Sequence, residues 1–160
     1  MDLLNDLVTL LPELILTALV LVIITVDLFL PRGEKWLLTP LTVAGLILAG
    51  AACFVVWDVN ETVYSGFYVV DDLSVFLKGA TIVIGILSVL FAPSYLMVRR
   101  IPLGEFHTIL VTALIGMCVL ASSSDLITLF LGLELMTMPS YLLAGLHKTC
   151  LLYTSDAADE

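Results

Sequence analysis

Charged side chains are scarce in this sequence, and basic side chains are the scarcest. Only 13% of the 160 residues are charged, and six Lys and Arg residues stand against fifteen Asp and Glu residues. A soluble domain has about a quarter charged and about half apolar residues, whereas 61% of this chain is hydrophobic. This composition and a mean hydropathy of +1.14 indicate an integral membrane protein. The net charge of −9 argues against nucleic-acid binding.

Motifs for binding cofactors are also absent from the sequence. It has no GxGxxG after a strand, no P-loop and no CxxC pair. The cysteines show no spacing typical of a metal site or a disulfide framework, and Cys53 and Cys118 are interpreted as small apolar filler. We therefore expect no cofactor and no metal in this chain, with any redox chemistry on another chain.

The end of the sequence differs in character from the rest. The segment CLLYTSDAADE, residues 150–160, is short, polar and acidic. It resembles the translation of a transposase adapter used in sequencing-library preparation, so we interpret it as a non-native tail. Without its three acids, twelve acids stand against the six bases. On this interpretation, residues 1–149 are the front part of a longer protein.

Five apolar runs are long enough, or nearly so, to cross a bilayer. Because lipid-exposed backbone must satisfy its own hydrogen bonds, runs of this length are expected to be helices rather than barrel strands. Trp36 and Trp57 flank the second run, as expected for tryptophans at the two membrane interfaces. The turn from Ser122 to Asp125 supplies side chains that can cap the start of a helix in the fifth run. The sequence predicts an all-α polytopic membrane bundle with five transmembrane helices, over about residues 7–30, 36–57, 72–98, 103–121 and 125–146.

The loop charges predict how the chain crosses the membrane. In a five-span bundle all loop bases fall on one side: Arg32, Lys35, Arg99, Arg100 and Lys148. The opposite loops contain acids and no bases: Asp58, Glu61, Asp71 and Asp125. The positive-inside rule therefore predicts that loops 31–35 and 99–105 are cytoplasmic and that the amino terminus lies outside.

One carboxylate lies deep in the fifth run. Glu134 lies nine residues beyond Asp125, which is about 13 Å along a helix and near the middle of a hydrocarbon layer about 30 Å thick. A charge there costs about 3 kcal/mol. Protonating a glutamate at neutral pH costs roughly 3.7 kcal/mol, and a lysine about 4 Å away returns about 4 kcal/mol. Because these energies are similar, Glu134 is predicted to couple proton binding to the movement of a neighbouring charge.

The residues around Glu134 fit such a site. Thr137 and Tyr141 share its face of the helix, and Gly132 permits the close approach of another helix. Pro139 frees a backbone carbonyl and can kink the span. The alternative is that Glu134 only holds helices together by hydrogen bonds.

Two other ionisable residues are candidates for proton transfer. Lys78 lies about one and a half turns inside the third run, so it either takes part in transport or extends its stem to the interface. His107 lies near the cytoplasmic end of the fourth run, where it is either a headgroup-level residue or a member of a proton relay. Glu13 is grouped with the acids of the amino terminus, and Asp27 is interpreted as interfacial.

Three segments resemble a known family. They are LPELILTALVLVIITVDLFLP (11–31), DDLSVFLK (71–78) and GEFHTILVTALIGMCVLASSSDLITLFLGLELMTMPSYLLAGL (104–146). Together they resemble the antiporter-like membrane subunits of respiratory complex I, the NADH-quinone oxidoreductase, and subunit N among these in particular. GLELMTMPSYLLAG (132–145) is the most specific part, and the absence of tryptophan near Glu134 favours subunit N over subunits L and M.

The resemblance implies a fold of about fourteen helices built on two inverted five-helix repeats, of which this chain would hold the first five helices. It implies that Glu134 pairs with a lysine on a seventh, broken helix beyond this chain, and that the pair drives proton translocation coupled to electron transfer from NADH to quinone. NAD, FMN, iron–sulfur clusters and quinone would bind elsewhere in the complex. The partners would be other membrane subunits of complex I and the lipid of the bacterial inner membrane.

Two other interpretations remain open from the residues. One is a subunit of a cation/proton antiporter, either of the Mrp type or associated with a hydrogenase. The other is a non-conducting scaffold, in which the polar residues only hold helices together.

Overall fold

Five long helices dominate the protein in a computed structural model that describes residues 7–31, 33–57, 59–63, 66–99 and 101–146. All five are long and apolar enough to cross a membrane, which confirms the predicted all-α, five-helix membrane fold. Arg32, Asp58, Arg100, His147, Lys148 and the tail 150–160 lie outside the described residues. The helices are α1 (Leu11–Phe29), α2 (Leu38–Val55, preceded by a 3-10 turn at Lys35–Leu37), α3 (Asp72–Val98), α4 (Leu103–Ala121) and α5 (Leu126–Ala144).

Local side chains fix the starts of α3 and α5. The Asp71 carboxylate accepts a hydrogen bond from the Ser74 backbone N–H at 2.8 Å, and the Ser74 hydroxyl accepts one from the Asp71 N–H at 2.9 Å. This capping box satisfies donors that the helix leaves free. At the start of α5, the Asp125 carboxylate accepts from the Ile127 N–H at 2.9 Å, as predicted. The helix α5 then continues through Pro139.

The first four helices close into a ring. α1 packs against α2 and α4, and α3 packs against the same two helices, so each has two neighbours within the ring. α5 packs on the outside, chiefly against α4. The core therefore lies among α1 to α4, where the buried apolar side chains include Leu16, Leu19, Ile23, Leu46, Ala49, Ile82, Val89, Val111 and Leu114.

A small β-hairpin covers one end of this ring, and the sequence analysis did not predict it. β1 (Glu61–Val63) and β2 (Tyr68–Val70) pair antiparallel, with Glu61 opposite Val70. The turn between them contains Gly66 at a φ of +96°, a backbone conformation that favours glycine. The hairpin joins α2 to α3, so it lies at the end of the ring where α1 and α3 begin. We call this the hairpin end.

Two glycines bring α4 and α5 into backbone contact. A Cβ added to Gly132 would lie 2.8 Å from the Leu120 backbone nitrogen, and one added to Gly116 would lie 2.8 Å from the Leu135 carbonyl oxygen. This contact confirms the predicted close approach of another helix at Gly132. Association of membrane helices depends on such packing, because lipid provides little hydrophobic driving force between helices.

We expect Gly132→Ala to weaken the packing of α5 on α4. The added methyl would meet the backbone of Leu120, which cannot rotate away, and overpacking of this kind costs about 1–3 kcal/mol. Thermal unfolding of the purified protein in detergent measures the loss. Gly79→Ala in α3 is the matched control, because a Cβ at Gly79 meets no atom within 4 Å. Equal effects of the two substitutions would contradict the expectation.

Candidate functional site

Three side chains from separate parts of the chain meet at the hairpin end. Glu13 lies in the first turn of α1, Tyr68 begins β2, and Lys78 lies in the second turn of α3. The Lys78 ammonium nitrogen is 2.8 Å from Glu13 Oε1. The Tyr68 hydroxyl donates to the same carboxylate oxygen at 2.6 Å, and Lys78 donates to the Tyr68 hydroxyl at 2.9 Å. These groups form a closed triangle, which we call the Glu13 network.

The Glu13 network is removed from solvent. Lys78 is 1% exposed, and Glu13 and Tyr68 are each 6% exposed. The ammonium nitrogen also lies 4.9 Å from the centre of the Tyr68 ring, which adds a cation–π attraction. Within the described ranges, the second carboxylate oxygen of Glu13 is buried without a hydrogen-bond partner. Each charge here is therefore stabilised by the other members of the network rather than by water.

The pKa of the Tyr68 hydroxyl is raised by its surroundings. Burial is the largest cause, and the negative charge of Glu13 raises the pKa further. The hydroxyl therefore keeps its proton at physiological pH and donates it to Glu13 in a charge-assisted hydrogen bond.

Lys78 is buried, and its ammonium group is bound by Glu13 and Tyr68 rather than by solvent. Its role in transport stays a prediction. Glu13 was grouped with the acids of the amino terminus and not with the site, so the sequence analysis missed the pair. A signal was present: Glu13 in run 7–30 and Lys78 in run 72–98 have opposite charges, and both lie near the end of the run that faces the amino-terminal side.

Glu134 lies on the face of α5 that is turned away from α4. It is about 12 Å along the helix from the first residue at 1.5 Å per residue, and it is partly exposed. Gly132 and Pro139 on the other face are buried. Tyr141, which shares the face of Glu134 as predicted, is 75% exposed. The Thr137 hydroxyl donates to the backbone carbonyl of Glu134 at 3.4 Å rather than to its carboxylate.

No salt bridge reaches the Glu134 carboxylate in the part of the chain that the structure describes. The structure therefore brings Lys78 together with Glu13 and leaves Glu134 on a separate, outward face. The role of Glu134 in proton coupling stays a prediction.

The opposite end of the ring holds a second polar group. Asp27 near the end of α1 pairs with Lys35 at 2.8 Å, and Gly104 lies against the Asp27 carboxylate. His107, three residues further along α4, is fully buried, and its Nδ1 donates to the Leu103 carbonyl at 2.6 Å. His107 is therefore covered by protein at this end of the ring, and its interpretation as a headgroup-level residue stays a prediction. Its role in a proton relay stays a prediction.

The chemistry available to these groups is charge pairing and proton exchange. Across the described ranges, no cluster of three or more His, Cys, Asp and Glu side chains could hold a metal ion. The Glu13 network is an ion pair bridged by a protonated phenol, and Glu134 is a carboxylate on an uncovered helix face. Buried ionisable groups in membrane spans mark ion pathways or hold helices together.

Comparison with curated proteins finds relatives across most of the chain. NADH-quinone oxidoreductase subunit N of Trichlorobacter lovleyi is 33% identical over 137 residues, which are 86% of this chain and 28% of the relative. Subunit N of Chloroflexus aggregans is 36% identical, over 88% of this chain and 29% of the relative. NAD(P)H-quinone oxidoreductase subunit 2 of Trichodesmium erythraeum is 36% identical, over 88% of this chain and 27% of the relative. The chain spans less than a third of the length of these relatives. No family model matches it.

We expect Glu13→Gln alone or Lys78→Met alone to lower the free energy of unfolding by about 3–5 kcal/mol, because each leaves a buried charge unpaired. The double variant removes both charges, so it should recover most of that loss. Unfolding of the purified protein in detergent measures both effects. Lys35→Met is the control at the more exposed pair with Asp27, where we expect a loss of about 1 kcal/mol or less. Losses that simply add in the double variant would contradict the pairing.

Because its pKa is raised, we expect the Tyr68 hydroxyl to stay protonated in an alkaline titration of the folded protein. Tyrosine ordinarily ionises near about pH 10, and the shift moves Tyr68 above that range. The absorbance change from phenolate formation up to about pH 11 should therefore be equal in the folded wild type and in Tyr68→Phe. A smaller change in the variant would show that Tyr68 titrates normally and is open to water.

Proposed function

The chain belongs to the family of NADH-quinone oxidoreductase subunit N, and from that premise we propose that it takes part in proton translocation as a membrane subunit of this oxidoreductase. The whole enzyme would transfer electrons from NADH to quinone and move protons across the membrane. The single observation on which the proposal rests is the carboxylate of Glu134 in the middle of α5, on a face that no other helix of the described residues covers extensively.

An ionised carboxylate facing hydrocarbon costs about 3 kcal/mol or more. The proposal therefore includes further helices of the complete subunit that cover the face of Glu134 and Tyr141 and bring a basic partner to the carboxylate. With such a partner, the ionised and protonated forms of Glu134 come close in free energy. A change in the position of the partner would then load or release a proton.

The proposal gives this chain no redox role of its own. NAD, FMN, iron–sulfur clusters and quinone would bind to the rest of the complex, whose other membrane subunits and surrounding lipid would be the partners of this chain. Charge movement in those subunits would have to affect the protonation of Glu134 through shifts of the packed helices between them.

The proposed orientation places the amino terminus outside the bacterial inner membrane. Lys35 and Arg99 both lie at the end of the ring opposite the hairpin, which supports a cytoplasmic location for that end. Lys78 lies at the hairpin end but is paired with Glu13. It therefore adds no net positive charge there.

Replacement of Glu134 by Gln in the complete subunit tests the proposal. The amide keeps a hydrogen-bonding group of the same shape but cannot bind and release a proton, so we expect the number of protons pumped per NADH oxidised to fall by about twofold or more. Inverted membrane vesicles that contain the assembled complex provide the measurement. Glu105→Gln is the control, because Glu105 is an exposed glutamate in the first turn of α4.

Unchanged pumping by a normally assembled Glu134→Gln complex would contradict the proposal and favour a non-conducting scaffold. Proton movement driven by a sodium gradient without NADH would instead favour a cation/proton antiporter.

A further inference from the structure

The Glu13 network is in contact with the start of α5 through β2. Tyr68 is the residue of β2 whose side chain belongs to the network. The residues on either side of Tyr68, Phe67 just before β2 and Val69 within it, bind the turn between α4 and α5. The Val69 N–H donates to the Ser122 carbonyl at 2.9 Å, and the Ser124 N–H donates to the Phe67 carbonyl at 3.2 Å.

The strand and the turn are paired as in a short antiparallel ladder. Tyr68 lies opposite Ser123 in an isolated β-bridge, and the two backbone hydrogen bonds flank that pair. This is the arrangement of a non-hydrogen-bonded antiparallel pair, in which the two Cα atoms typically lie about 4.5 Å apart. A displacement of Tyr68 therefore disturbs both of the backbone hydrogen bonds that join β2 and Phe67 to the turn.

The turn leads directly into the helix that contains Glu134. Asp125 caps α5 through its side chain, and its carbonyl accepts from the Leu129 N–H at 2.9 Å in the first helical turn. The glycine contact between α4 and α5 sets how closely the two helices approach. The bonded turn is a second attachment about 12 Å away along the axis at 1.5 Å per residue, and it holds the start of α5 at the hairpin end.

We propose that the Glu13 network positions α5, and with it Glu134, through the bonds of β2 to the α4–α5 turn. Tyr68 is then a positioning residue for proton translocation: it does not exchange the pumped proton, but it holds the helix that presents Glu134. The functional part of this inference rests on the proposed role of Glu134.

The ionic members of the network make this attachment stiff. Lys78 and Glu13 belong to α3 and α1, which are both in the closed ring, and both bind the Tyr68 hydroxyl. Hydrogen bonds to charged partners are roughly twice as strong as neutral ones. The hydroxyl is thereby attached to two helices of the ring, whereas the backbone of the same residue is attached to the turn.

The first arm of the test measures local opening in the assembled complex by amide hydrogen exchange. Tyr68→Phe keeps the ring over Lys78 but removes the hydroxyl. Loss of a hydrogen bond to a charged group should raise the exchange rates of the Val69, Ser124 and Leu129 amides by about tenfold. The control Tyr95→Phe removes a hydroxyl from an exposed tyrosine near the far end of α3. It should leave these rates unchanged.

Faster exchange at Val69 with unchanged exchange at Ser124 and Leu129 would overturn the inference, because the disturbance would then stop at the hairpin. This arm does not depend on pumping. The exchange rates can therefore contradict the positioning role of Tyr68 even if Glu134→Gln abolishes pumping. They can equally support it even if Glu134→Gln leaves pumping unchanged.

The second arm measures whether Tyr68 acts through Glu134. Glu134→Asp keeps a titratable carboxylate but shortens its reach, so some pumping should remain. If Tyr68 positions Glu134, the combined Tyr68→Phe and Glu134→Asp variant should pump at a rate that departs by about twofold or more from the product of the separate effects. A combined effect equal to that product, at normal assembly, would overturn the inference. In the control, the pumping rate of the combined Tyr95→Phe and Glu134→Asp variant should equal the product of the two separate effects.

Discussion

A charge inside a membrane bundle must find its partner within the protein, and the pairing of Glu13 with Lys78 at 2.8 Å meets this requirement at the hairpin end. Taking two ions out of water costs several kcal/mol for each, so the pair exists only if the surrounding groups complete its hydrogen bonds. Tyr68 supplies part of these bonds, since it donates to Oε1 of the carboxylate and accepts from the ammonium group, whereas Oε2 has no partner among the described residues. This buried interaction joins the start of α1, the start of α3 and the hairpin, and the hairpin in turn binds the turn before α5.

The Glu13 network and Glu134 differ in how far the described residues supply partners for their charges. The Glu13 network is closed and buried, with partners from α1, α3 and β2. Glu134 has a backbone hydrogen bond nearby but a bare outward face, which includes the exposed Tyr141. A completed ion pair is suited to holding a structure, whereas an acid on an uncovered face is suited to meeting a partner from elsewhere. The Glu13 network is therefore suited to a structural role, and Glu134 to the proposed role in proton transfer.

The sequence alone predicts the helices well, because each lipid-facing span is a long apolar run and lipid leaves the backbone few other conformations. The caps at Asp125 and the close approach at Gly132 follow from local chemistry and were predictable as well. The Glu13 network was not predicted, because its members are brought together by packing: Glu13 and Tyr68 are 55 positions apart in the chain. The hairpin was missed for a similar reason, since strands of three residues depend on Tyr68 and on the α4–α5 turn rather than on a long repeat.

The separation of Glu13 from its partners has a consequence for how the protein enters the membrane during synthesis. Glu13 precedes Lys78 by 65 positions in the chain, so the carboxylate is synthesised before the ammonium group that pairs with it. The ion pair forms only when α3 lies beside α1, so part of the stabilisation of the first span comes from a residue of the third span.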